Sequence, residues 1–104
     1  MLEKKGLGIE TLLLPKKKQI LKIAEKHGAF NIRVFGSVAR GEATSESDVD
    51  LLIDYDPSRR SPWFPAGLIQ DLQTLLNREV DVATMAMLRE DRGRDRVLAE
   101  AVLL

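Results

Sequence analysis

Apolar positions along this chain change their period several times, and each change predicts an element. Behind Pro15, the run KKKQILKIAEKHG puts Ile20, Ile23 and Ala24 on one helical stripe and turns its lysines to water. Proline suits the first turn of a helix and Gly28 suits its end. FNIRVFG switches to aromatic and β-branched residues and predicts a strand that stops at Gly36. From Ser37 to Ser47 the chain is polar and small, with room for one helical turn at SVAR. VDLLIDY, from Val49 to Tyr55, is nearly continuous apolar sequence interrupted by two aspartates, as in a strand covered on both faces.

DPSRRSPWFP holds three of the four prolines and reads as a loop. AGLIQDLQTLLNR returns to helical spacing, with Leu68, Ile69, Leu72, Leu75 and Leu76 on one face. EVDVAT predicts a short third strand. GRDRVLAEAVLL predicts a last helix that groups Val97, Leu98, Ala101 and Val102. The order helix, strand, connector, strand, helix, strand, helix predicts an α/β (α+β) layer on a small sheet.

Composition narrows the setting. A chain of 104 residues fits one domain with one core, spanning 1–104. Lys+Arg and Asp+Glu each number 16, so no global basic field draws the protein onto nucleic acid or an anionic membrane, and a template-dependent polymerase is disfavoured. No cysteine is present, which excludes disulfides and thiolate metal sites and suits a reducing cytoplasm. No apolar stretch approaches the roughly 20 residues of a membrane helix, and the N-terminus lacks the apolar core of a signal peptide. A cytoplasmic location is expected.

The chemistry concentrates between Phe35 and Asp56. Strand residues two apart share a face, so Asp48 and Asp50 project together. Two carboxylates that close repel, and Arg40 alone cannot balance the acids nearby. A divalent cation can. Oxygen ligands without His or Cys favour Mg²⁺, or Mn²⁺, over zinc. Asp81 alternates out of a third apolar strand, and if that strand lies beside VDLLIDY the three carboxylates converge. Such a patch can hold two Mg²⁺ ions about 4 Å apart on a polyphosphate. Gly36-Ser37, opening a turn after a strand, can aim N–H groups and a hydroxyl at phosphate oxygens, and Gly41 can close that turn at positive φ. Ser47-Asp48 is also an ordinary turn pair, and Gly36-Ser37 taken alone reads as a plain turn rather than a phosphate site. The ordered set of Gly-Ser, Asp-x-Asp and a later strand aspartate is what points to a metal-bound nucleoside triphosphate.

GSVARGEATSESDVDLL resembles the signature of the DNA polymerase beta-like nucleotidyltransferase superfamily, and more narrowly is similar to the minimal nucleotidyltransferase (MNT) family. Members are commonly antitoxins of HEPN-type RNase toxins. The resemblance runs from the first strand to the C-terminal helix, in outline only after Thr84. It implies a nucleotidyltransferase fold, a small mixed β-sheet flanked by helices. It implies Asp48 and Asp50 as shared metal ligands, Asp81 as the third ligand near the attacking hydroxyl, and Gly36 and Ser37 as triphosphate contacts. It further implies transfer of AMP from ATP to a tyrosine of a HEPN-type partner, in a hetero-oligomer. The alternatives are an antitoxin that acts by binding alone and an aminoglycoside-type transferase.

Other residues have two readings. Arg40 is a phosphate contact or a partner for Glu42 and Glu46. His27 sits where a helix dipole favours it. Lys16 to Lys18 form a solvated face. Trp63 and Phe64 either plug the core edge or anchor a partner or an adenine ring. The terminal AEAVLL packs on the core or docks the toxin.

Overall fold

The computed structural model describes residues 6–88 and 92–104, so residues 1–5 and 89–91 of the expected single domain lie outside it. Its elements are α1 (Ile9–Leu12), α2 (Lys17–Lys26), β1 (Ala29–Phe35), α3 (Gly36–Arg40), β2 (Val49–Tyr55), α4 (Ala66–Leu76), β3 (Val80–Thr84), α5 (Arg92–Glu100) and β4 (Val102–Leu103). The four strands form one mixed sheet in the order β3-β2-β1-β4. β1 runs antiparallel to both neighbours, whereas β3 lies parallel to β2. The expected small mixed sheet flanked by helices is what the chain builds.

β2 lies inside the sheet, and Val49, Leu51, Leu52 and Ile53 are all buried, which accounts for its unbroken apolar run. Helix α2 buries Ile20 and Ala24, and α4 buries Leu68 and Leu72; these four join Ile32, Val34, Leu51 and Ile53 in the core. Truncating a buried leucine or isoleucine of this core to alanine costs about 2–5 kcal/mol. Gly28 ends α2 at φ 79, and a Cβ there would stand 2.7 Å from the Arg59 carbonyl carbon. The chain therefore turns into β1 in direct backbone contact with the loop after β2.

Two expectations need correction. The helix behind Pro15 begins at Lys17; Pro15 itself sits in a 3₁₀ turn, Leu14–Lys16, preceded by α1, a short helix absent from the sequence reading. The C-terminal helix does not run through Leu104. It stops at Glu100, and Val102 and Leu103 pair with Val34 and Arg33 instead. β1 otherwise leaves an edge of open backbone groups, and Leu104 N–H adds a 2.8 Å bond to the Ile32 carbonyl. A strand satisfies that edge where a further helical turn could not.

The loop after β2 splits the two aromatic residues that shared one reading. Phe64 packs on the core with its ring 4.9 Å from Tyr55, while Trp63 is 88% exposed. His27 is buried and bridges elements: Nδ1 shares a 2.6 Å hydrogen bond with Ser61 Oγ, and Nε2 lies 2.7 Å from Asp71 Oδ2. The Asp71 carboxyl is held below its usual range by His27 and then Lys26. A Ser-His-Asp chain invites a nucleophile reading, but the residue after Ser61 is Pro62, which has no N–H to offer an oxyanion. The trio fastens α2, the loop and α4 together. Among the described residues no helix is long and apolar enough to cross a membrane.

Candidate active site

Strand register builds the centre of the site. Asp50 is the Cα partner of Phe35 on β1 and of Asp81 on β3, so one carboxylate of β2 stands between the end of β1 and the start of β3. Parallel pairing points Asp50 and Asp81 to the same face. Asp48 lies just before β2 and is exposed, as is Asp81, whereas Asp50 is half-buried. The turn that delivers Asp48 is pinned from outside: Arg78 Nη1 donates to the Ser47 carbonyl at 2.8 Å and to the Thr44 carbonyl at 3.1 Å.

Gly36 follows β1 directly, at φ 77. A Cβ at this position would lie 2.2 Å from Asp50 Oδ2, so only glycine lets the backbone pass this close to the carboxylate. Ser37 is the next residue of α3, and its hydroxyl makes no hydrogen bond to another described residue. Gly41 closes the turn at φ 73, as its sequence position predicted.

The electrostatics show what the carboxylates lack. Burial, then Asp81 and Asp48, push the Asp50 carboxyl up to about 6, with a hydrogen bond to Asp81 and the charge of Glu100 adding to the rise. Arg40 bonds other acids than the three aspartates: Nε donates to Glu42 Oε1 at 3.0 Å and Nη1 donates to Glu100 Oε1. Of its two expected carboxylate partners, Glu42 is engaged and Glu46 is not. Two further acids of this stretch have their own partners, Asp54 with Arg33 and Asn31, and Asp56 with Ser58. They belong to the scaffold.

The donor set fits a hard divalent cation: oxygen atoms only, crowded and short of positive charge. As the side chains lie, no three His, Cys, Asp or Glu groups among the described residues close around one ion. The fit is therefore one of chemistry and placement, with Asp50 and Asp81 adjacent and Asp48 at the strand's entry. Sequence reasoning missed two contributors, Glu100 and Arg78. The Glu100 signal was hidden because a helix running through Leu104 does not fix where that side chain goes. Arg78 carries no local signal, because the carbonyls it holds are 31 and 34 residues away.

A mixed sheet with Gly-Ser at the end of β1 and aspartates on β2 and β3 defines a nucleotidyltransferase-type site. Comparison with known proteins agrees. Residues 16–104 match the model of the nucleotidyltransferase domain, and the chain belongs to that family. It is 36% identical over 94 residues to Protein adenylyltransferase MntA of Thermococcus cleftensis, covering 90% of each chain. It is likewise 36% identical over 86 residues to a Methanocaldococcus jannaschii protein assigned as a protein adenylyltransferase, covering 83% of this chain and 90% of that one. A solved structure assigned as a minimal nucleotidyltransferase superposes with a TM-score of 0.78 at 39% identity, over 96% of this chain and 99% of the other. A toxin–antitoxin crystal structure with AMP-PNP gives a TM-score of 0.64 at 22% identity, over 84% of this chain and 70% of the other; it shows the shared fold. The chain is an enzyme of the nucleotidyltransferase class.

Proposed function

We propose that this protein transfers AMP from ATP to a tyrosine hydroxyl of a HEPN-type RNase toxin and thereby neutralises it. The observation that carries the reading is the Asp50–Asp81 pair on adjacent strands, next to the Gly36-Ser37 turn. The adenylyl part is supported by the relatives named protein adenylyltransferases, and the toxin partner by the resemblance to minimal nucleotidyltransferases.

Asp48, Asp50 and Asp81 would hold Mg²⁺ or Mn²⁺, two ions by the family resemblance, which supplies the positive charge a triphosphate needs in order to approach these carboxylates. The Gly36-Ser37 turn orients the phosphate chain through its N–H groups and the Ser37 hydroxyl. Arg40, at the end of α3, adds a guanidinium on that side. Asp81, exposed at the rim, accepts the proton of the incoming tyrosine hydroxyl. The tyrosine oxygen bonds to the α-phosphorus, the bond to the bridging oxygen breaks, and pyrophosphate leaves. Positioning and fixed electrostatics supply the rate.

The test is the intact mass of the toxin after incubation with this protein, ATP and Mg²⁺. Mass gains in whole AMP steps, absent with the Asp48→Asn/Asp50→Asn variant, are expected. Unchanged mass with the two proteins still tightly bound refutes the transferase and leaves an antitoxin that acts by covering its target.

A further inference from the structure

We infer that Glu100 is a positioning residue that fixes the Arg40 guanidinium beside the Gly36-Ser37 turn, where it meets the triphosphate; this rests on the nucleotidyl-transfer reading above. α3 is little more than one helical turn, so Ser37 and Arg40 stand three residues apart on the same side of it. A guanidinium on a long side chain has many rotamers, and one exposed acid two residues away does not choose among them. Here the planar fork is gripped at two separate nitrogens, Nε by Glu42 and Nη1 by Glu100.

The two grips are unequal. The Glu42 side chain is 66% exposed and the Glu100 side chain 16%, so water competes with the first bond far more than with the second. Glu100 is also the better placed of the two. It ends α5, and two residues later Val102 is locked to Val34 of β1. Strand pairing thus holds the carboxylate at a helix end that would otherwise fray. Helix α5, which Glu100 ends, packs against α3, the helix that Gly36 and Ser37 open.

Charge explains why the pair acts as a unit. A bare carboxylate at Glu100 repels an approaching triphosphate, and Arg40 cancels it while leaving the rest of its fork for phosphate oxygens. Removing Arg40 alone therefore does two kinds of harm, and removing both residues does only one.

The experiment measures the Kd for Mg-ATP by titration, and the KM for ATP and kcat in AMP transfer. It compares the wild type, Glu100→Ala, Glu100→Gln, Arg40→Ala and Arg40→Ala/Glu100→Ala, with Asp50→Asn as reference. A hydrogen bond to a charged group corresponds to roughly 10- to 100-fold in affinity. Glu100→Ala is expected to raise KM and Kd about 10-fold with kcat changed far less, and Glu100→Gln, which keeps an acceptor, to recover part of this. The double variant should be no worse than Arg40→Ala. Unchanged ATP affinity in Glu100→Ala, or fold-changes that multiply in the double variant, overturns the inference. If Glu100→Ala fails to fold, Glu100→Gln against wild type decides by the same KM and Kd criterion. A wild type that neither binds nor uses Mg-ATP sinks the transferase reading, and this inference with it.

Discussion

Replacing Gly36 with alanine separates two costs that the structure superimposes at one residue. The backbone sits at φ 77, where an L side chain is penalised by about 1–2 kcal/mol. The new methyl would also fall 2.2 Å from Asp50 Oδ2, so the carboxylate must swing aside. That atom is the end of a side chain and can move, so the stability cost of the overlap is an off-rotamer penalty of about 0.5–1.5 kcal/mol. Together these give roughly 1.5–3.5 kcal/mol, on the order of 10 °C in Tm for a domain of this size. The functional loss should be much larger than the stability loss, because the group displaced is the central carboxylate of the site. Urea melts and AMP transfer measured well below Tm check both. In an Asp50→Ala background the overlap vanishes, and Gly36→Ala should cost only the conformational part. Equal costs in both backgrounds, or wild-type transfer by a folded Gly36→Ala protein, would refute this account of the site.

At Gly28 the same substitution should destabilise more than at Gly36. The φ is similar, but the obstruction is the Arg59 backbone, which cannot rotate away; paired denaturant melts of the two variants give the order. The pH dependence follows from Asp50, whose carboxyl is raised to about 6 against an ordinary value near 3.9. A raised carboxyl favours the protonated folded state, so this contribution is fully present below about pH 4 and is lost as pH rises through 6. In chelator, the Tm contribution of this group should therefore fall between pH 4 and 7; Asp50→Asn should flatten that slope, and Mg²⁺ should raise Tm at pH 7.5. An Asp50→Asn protein with the wild-type slope would remove Asp50 as its source.

The central part of the fold was legible because its signals are local. VDLLIDY has no polar face apart from its aspartates, so it had to lie inside a sheet, and the alternation of EVDVAT set Asp81 outward before any pairing was known. Gly41 announced its left-handed turn. What escaped depended on contacts distant in sequence. Val102 and Leu103 are as apolar as the end of a helix, and only the open edge of β1 turns them into a strand. Glu100 enters the site by the same route. His27 read only as a residue favoured by a helix dipole because Ser61 and Asp71, its partners, are 34 and 44 residues away. Trp63 and Phe64 are adjacent in sequence, yet the loop turns one outward and the other into the core, which no period of the pattern reveals.

The parallel pairing of β2 with β3 makes the carboxylate pair a matter of parity, and parity governs which length changes the gene can tolerate. Residues added to the exposed stretch from Pro57 to Arg60 lengthen a loop and leave Asp50 opposite Asp81. One residue added between Glu79 and Val80 turns the third carboxylate to the other face, puts a valine in its place, and disarms the site while preserving the sheet. Two residues added there restore the facing but slide the pair out of step by one repeat of the pleat. Deletions and insertions that survive in this lineage should therefore crowd into the excursion between the two strands and be missing from the strands themselves.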